Sequence, residues 1–251
     1  MGRRLIALGQ TDNRMNVAAA LEYTGCDALG ADAGTAAGIG EIGVPFSDEY
    51  KSDFDAVIDF STPTGCETAV KNCLEKKIPL VVATTGLTDA QIQMVEEATQ
   101  TIPIVWAPNM SMAVNLTMKL VEAAAASLKN VATGVDVEIL ERHHRYKEDS
   151  PSGTALKFGA IVKDAMGQTS DAHGREGMVG KRPASELGYH AIRVGDNPGE
   201  HTIVFGMLGE TIELRVAASN RDCYALGAIE AAIWLADKPA GKYNMYDVLG
   251  L

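Results

Sequence analysis

A chain of 251 residues with a formal net charge of −11 is not built to coat nucleic acid, because phosphate binding is driven by clustered Lys and Arg. With 46% hydrophobic and 22% charged residues, it has the composition of a soluble globular protein, enough for one large domain or two modest ones. The 4 cysteines (Cys26, Cys66, Cys73, Cys223) are scattered without a CxxC pair. No apolar run approaches the ~20 residues of a membrane span, and the start, with Arg3 and Arg4, is too short for a signal peptide. A reducing, cytoplasmic setting is expected, with neither nucleic acid nor membrane as partner.

The first half alternates strands and helices. Residues 5–8 read as a buried strand, 14–23 as a helix, and 28–31, 56–60, 79–83 and 102–106 as further strands. A helix begins near Pro63 and a polar one covers 89–100. Such alternation predicts βαβ units in a doubly wound parallel sheet, whose ligands lie beyond the carboxyl ends of the strands. An Ala-rich helix over 110–128 ends this pattern. Strands then follow one another at 135–140, 189–194, 201–208 and 211–216, interrupted by one helix at 154–166. This predicts an α+β domain with an open mixed sheet. The Gly-rich polar stretch 167–181 reads as a mobile lid, and the apolar helix 224–236 as buried.

The densest chemistry lies in Glu141-Arg142-His143-His144-Arg145-Tyr146-Lys147-Glu148-Asp149-Ser150-Pro151-Ser152-Gly153-Thr154-Ala155, which reads as a strand-to-helix connection. Histidine is the side chain whose ordinary pKa lies nearest neutrality, and a Lys among other cations gives up its proton more easily. Ser152 is placed to cap the next helix, and Gly153 lets a ligand approach the backbone. The free N–H groups of that helix end favour an anion. One segment thus offers a proton donor, a cation and an anion seat, the makings of a site for a small carboxylate. Adjacent strand residues such as His143 and His144 point to opposite faces, and no partner set stands at ligand spacing, so no metal is expected.

A dinucleotide would need a glycine turn after the first strand. In Gly9-Gln10-Thr11-Asp12-Asn13-Arg14-Met15-Asn16 only the first glycine fits G-x-G-x-x-G, and Asp12 would repel phosphate. Asp32 follows the expected second strand, where an acid accepts ribose hydroxyls; it reads equally well as a solvated loop acid.

From end to end the chain resembles the dihydrodipicolinate reductase family. Residues 141–155 match its E-x-H-H-x-x-K-x-D-x-P-S-G-T-A signature at every fixed position. Asp59-Phe60-Ser61 with Pro63 is similar to its D-F-[ST]-x-P, Thr84-Thr85-Gly86 to its G-T-T-G, and 107–115 to its A-x-N-x-S-x-G-V-N. Arg193-Val194-Gly195-Asp196, Gly199-Glu200-His201-Thr202 and Asp247-Val248-Leu249 also fit. The resemblance implies a Rossmann-type domain of 1–109 and 220–251, and a substrate-binding domain of 110–219 whose open sheet forms a homotetramer. It implies reduction of hydroxy-tetrahydrodipicolinate by NADH or NADPH on the diaminopimelate route to lysine. His143 and Lys147 would be catalytic, with His144, Ser152, Gly153 and Thr154 on the substrate. The cofactor would lie along Gly9, Thr11, Asn13, Arg14, Met15, Asp32, Ala83, Thr84, Thr85, Ala107, Pro108, Asn109 and Met110. The departures fall on the cofactor side: the first turn has lost its second and last glycines and gained one residue before Arg14, Ala83 replaces the glycine of G-T-T, and Ala113 that of S-x-G-V-N. With Ala33 after Asp32, NADH or dual use is expected. The alternative is a non-catalytic relative that binds a pyridine-type dicarboxylate and has weakened cofactor binding.

Overall fold

A computed structural model describes residues 1–51 and 53–251. They form two compact units, one of Met1–Met112 with Asp222–Leu251, the other of Ala113–Arg221.

The first unit holds a four-stranded parallel sheet of β3 (Val57–Asp59), β4 (Leu80–Val82), β5 (Pro103–Trp106) and β11 (Gly241–Tyr243), in the order β11-β5-β4-β3. Its strands are short apolar runs because both faces are covered. Val57, Leu80, Val82 and Ile104 pack with α3 (Pro63–Lys76) and α4 (Asp89–Ala98) through Val70, Cys73, Val95 and Ala98. The alternate residues Val81 and Val105 pack with α7 (Asp222–Leu235) through Ala228, Ala231 and Leu235, and with Met245 of α8 (Met245–Leu249). Thr62 caps α3 with Pro63 in its first turn, and Thr88 with Gln91 forms a capping box on α4. Gly227 in α7 is a packing requirement: a Cβ there would lie 1.8 Å from the Met110 carbonyl oxygen.

The amino-terminal part departs from the sequence reading. Residues 5–8 are not a strand but lie within helix α1 (Gly2–Gly9). A four-residue apolar run carries no period that separates strand from helix. Here Ile6 is buried with Ala20, Ala33 and Phe46, while Arg4 on the outer side pairs with Asp222. Residues 14–23 are not a helix either. They run without regular structure into β1 (Ala20–Leu21), which pairs in parallel with β2 (Phe46–Ser47), tertiary pairing overriding the helix preference of its alanines. The stretch 28–31 is a turn held by Leu29 N–H to Cys26 O and Ala31 N–H to Ala28 O, and Asp32 caps α2 (Ala33–Ala37).

In the second unit α5 (Met112–Leu128) precedes a five-stranded mixed sheet in the order β10-β9-β6-β8-β7. Its strands are β6 (Asp136–His143), β7 (Ser170–His173), β8 (Glu186–Arg193), β9 (Glu200–Met207) and β10 (Glu210–Ala217). The central β6 pairs in parallel with β8 and antiparallel with β9. Along β6, Val137, Ile139, Glu141 and His143 are buried on one face with α6 (Gly153–Met166). On the opposite face Leu140 is 37% and Ile192 48% exposed. The expected lid at 167–181 contains β7 and is tied down. Arg175 and Arg182 both bond Glu138 on that second face, and Arg182 reaches Asp136 at 2.7 Å. Despite burial, these bonds hold the Glu138 carboxyl at about 2.

Candidate active site

Strand β6 runs on through His143, so Glu141 and His143 are strand residues rather than part of a connection. Their i, i+2 spacing puts both on the buried face. Glu141 Oε2 lies 2.6 Å from His143 Nδ1. Arg193, opposite His143 on β8, grips the same carboxylate with both ends of its fork, Nη1 at 2.7 Å and Nη2 at 2.8 Å. The Ser152 backbone N–H, just ahead of α6, completes the set at 3.0 Å from Oε1. Burial opposes the charge on Glu141, but the bonds from Arg193, His143 and Ser152 prevail and hold its carboxyl below the ordinary range.

An ionised carboxylate only accepts, so His143 Nδ1 carries hydrogen and Nε2 is the nitrogen left to exchange a proton. Burial pushes the His143 pKa below its ordinary 6.5; Glu141 works against this, while Lys147 and Arg193 add to it. His201, opposite Glu141 on β9, meets His143 edge-on with ring centroids 5.2 Å apart. Its Nε2 is 3.0 Å from Ser152 Oγ, and burial brings its pKa down to about 4, so the ring is neutral near neutral pH.

Ser152 is the N-cap of α6, its Oγ accepting the Ala155 N–H at 3.2 Å. Gly153 is exposed, and a Cβ there would meet nothing within 4 Å, so the space beside the helix end is open. Thr154 follows in the same first turn. Lys147 does not sit among cations: its Nζ is 2.7 and 2.9 Å from the Asp149 carboxylate oxygens. His144 is half-buried, its Nδ1 without a hydrogen-bond partner and its ring 6.2 Å from Tyr146. Glu141, Arg193 and His201 were missed as site residues. Extending the 135–140 alternation by three residues brings Glu141 and His143 to one face, whereas Arg193 and His201 depend on cross-strand register that no local pattern encodes. Among the described residues no group of three His, Cys, Asp or Glu side chains is placed to hold a metal ion.

In the first unit the carboxyl ends of the strands carry the remaining candidates. Buried Asp59 ends β3, accepting the Ser61 N–H and hydroxyl at 3.1 and 2.5 Å and the Thr84 hydroxyl at 2.7 Å. Ala83, Thr84 and Thr85 follow β4, with Ala83 and Thr84 buried and Thr85 exposed. Ala107, Pro108, Asn109 and Met110 follow β5, and Asn109 Oδ1 accepts the Ser111 N–H at 2.9 Å.

The segment read as a glycine turn has another role. Gly9 ends α1, and Thr11, Asn13, Arg14 and Met15 follow a helix, not a strand, so the phosphate-turn geometry is not formed there. Thr11 Oγ1 bonds back to Leu8 O at 2.8 Å. The half-exposed Arg14 guanidinium is held by Asp12 at 2.7 Å and by Glu230 on α7, two acids that would compete with a phosphate. Asp32 likewise uses its carboxylate internally, accepting the N–H groups of Thr35, Ile42 and Gly43 at 2.8, 3.2 and 2.9 Å. Two acids directly follow the strands of the separate two-stranded pair: Glu22 after β1, exposed, with its N–H bonded to Ser47 O at 3.0 Å, and Asp48 after β2.

Two family models match the chain: dihydrodipicolinate reductase, N-terminus, over residues 1–110, and dihydrodipicolinate reductase, C-terminus, over 113–249. A 4-hydroxy-tetrahydrodipicolinate reductase of Rhodopirellula baltica is 56% identical, covering 100% of this chain and 92% of its own length. Another from Alkalilimnicola ehrlichii is 44% identical, covering 100% and 95%. Among solved structures, a dipicolinate-bound dihydrodipicolinate reductase from Paenisporosarcina sp. TG-14 shares the fold, with a TM-score of 0.75 at 24% identity over 98% of this chain and 94% of that one.

Proposed function

The chain belongs to the dihydrodipicolinate reductase family, and from that premise we propose that it reduces hydroxy-tetrahydrodipicolinate to tetrahydrodipicolinate with loss of water. The observation that carries this reading is the Glu141-held His143 beside the open amino end of α6, within a signature that is complete from 141 to 155. A bound reduced nicotinamide supplies the hydride. His143 delivers the proton that must accompany it. The Gly153–Thr154 helix end and Lys147 neutralise the substrate carboxylates, and His144 helps to position the ring.

For the cofactor, the residues that fit are those beyond the strand ends: Ala83, Thr84 and Thr85, with Ala107 to Met110. Asp32 is the acid proposed for the ribose hydroxyls, its carboxylate kept ionised by the backbone N–H groups of Thr35, Ile42 and Gly43. With Ala33 after it, no cation follows in sequence to pair with a 2′-phosphate, which favours NADH or dual use over strict NADPH selection. Against the non-catalytic alternative stand the relatives, 4-hydroxy-tetrahydrodipicolinate reductases up to 56% identical over the whole chain.

The half-exposed apolar positions Leu140 and Ile192 on the open sheet face support a homotetramer, which sedimentation equilibrium tests directly. No helix among the described residues is long and apolar enough to cross a membrane. The biosynthetic reaction proposed here is one expected of the cytoplasm.

The deciding experiment follows oxidation of NADH and of NADPH with freshly generated substrate, alongside fluorescence titration of each cofactor with pyridine-2,6-dicarboxylate present. Saturable turnover with either cofactor supports the reading. Dicarboxylate binding with no cofactor binding and no turnover sinks it.

A further inference from the structure

We propose that Glu141 is a positioning residue that selects the tautomer of His143, making Nε2 the atom that passes the proton, and that it locks this nitrogen in place relative to the carboxylate seat at α6. The inference rests on the reading of His143 as proton donor and extends it to a residue that never meets the substrate.

The geometry supports this in three ways. First, one carboxylate accepts all of its bonds from fixed donors: His143 Nδ1, both Arg193 terminal nitrogens and the Ser152 N–H. Its lone pairs are occupied, and at 2% exposure it is cut off from water. A change in the His143 ring orientation would break a charge-assisted bond in a buried site. Second, the bond to Ser152 comes from the N-cap residue of α6, so proton donor and anion seat are referenced to the same two oxygens. Third, the ring position is fixed from its far edge by Gly199: a Cβ there would stand 2.9 Å from Nε2, and its φ of +151° is one that side chains rarely tolerate, so glycine alone leaves the ring its place.

In the transfer, the Nε2–H bond of the imidazolium breaks and the proton passes to the substrate as hydride adds. Nδ1–H stays with Glu141, which remains ionised throughout, and the ring ends neutral. The charged or titratable groups facing His143 are Glu141 on its own strand, Arg193 on β8, His201 on β9, and Lys147 with its partner Asp149 on the connection to α6.

The test combines ring-nitrogen NMR with kinetics. In wild-type protein labelled with 15N-histidine, with the His143 signals assigned by their loss in His143→Gln, the neutral ring should carry hydrogen on Nδ1. In Glu141→Gln, the amide can present its own N–H to Nδ1, so the ring should move towards the Nε2–H form. There kcat should fall about 100-fold or more with KM little changed and the pH profile displaced, the scale expected when a tautomer-fixing carboxylate is neutralised. Glu141→Asp should restore part of the loss. A neutral wild-type ring protonated on Nε2 overturns the proposal, and this measurement needs no variant at Glu141 to fold. Wild-type kcat and pH profile in Glu141→Gln overturn it too. Full activity in His143→Gln, with Nδ1–H found as assigned, would uphold the tautomer assignment while removing His143 from the reaction.

Discussion

Glu141 in the second unit and the acids Asp59 and Asp32 in the first are held in different ways. In the second, Glu141 collects an arginine fork, a histidine and a helix-start N–H from three separate segments, all in a buried site. In the first, Asp59 and Asp32 accept from hydroxyl, thiol and backbone N–H donors, most of them nearby in the chain. Neutral local donors shape a loop. A charged, long-range set fixes the protonation state of the side chain at its centre, which proton chemistry requires.

The sharpest test of that contrast is His143→Gln, expected to lower kcat by about 1000-fold with the fold intact, within the range of general acid catalysis. Steady-state kinetics and circular dichroism on the same preparation check it. Full activity would mean that the wired corner is only structural.

The next effect is on stability. The His201 pKa in the folded protein is about 4, below its ordinary 6.5. Between those values the unfolded chain binds a proton that the folded chain excludes, so stability falls as pH drops from 6.5 towards 4 and is constant above. The loss is on the order of 3 kcal/mol. Thermal unfolding across this window should show it, and His201→Asn should remove that part of the slope even though it starts less stable.

Asp59→Asn probes the other unit. Releasing Thr84 should raise the cofactor KM by about tenfold while leaving kcat nearly unchanged, since one bond that orders a loop is lost. A fall in kcat without a change in KM would contradict the division of roles. The smallest effect is expected at Arg14. Its guanidinium already faces Asp12 and Glu230, so Arg14→Ala should change NADH and NADPH affinity by less than about twofold. A larger loss would return this segment to the cofactor site.

The same contrast explains what could be read from the chain. The proton-transfer segment is contiguous, and its helix start is written locally in Ser152, Gly153 and Thr154. The parallel strands 56–60, 79–83 and 102–106 were legible because burial on both faces leaves an unbroken apolar run. Residues 5–8 were not, because four apolar residues suit a strand and an amphipathic turn of helix equally; only packing of Ile6 and Ala7 against the 20–46 region decides. Arg193 and His201 needed the pairing of β6 with β8 and β9, which is a property of the sheet.

One consequence concerns how the chain can vary in length. Glu138 and Glu141 lie on opposite faces of β6, the first clamping the 175–182 segment and the second holding His143. Because a strand repeats every two residues, one residue inserted or deleted between them would put one acid on the wrong face. Homologous chains can therefore lengthen or shorten between the two clamped arginines, at 176–181, where glycines punctuate an exposed stretch, but the spacing of these two acids should be invariant across any lineage that keeps the reaction.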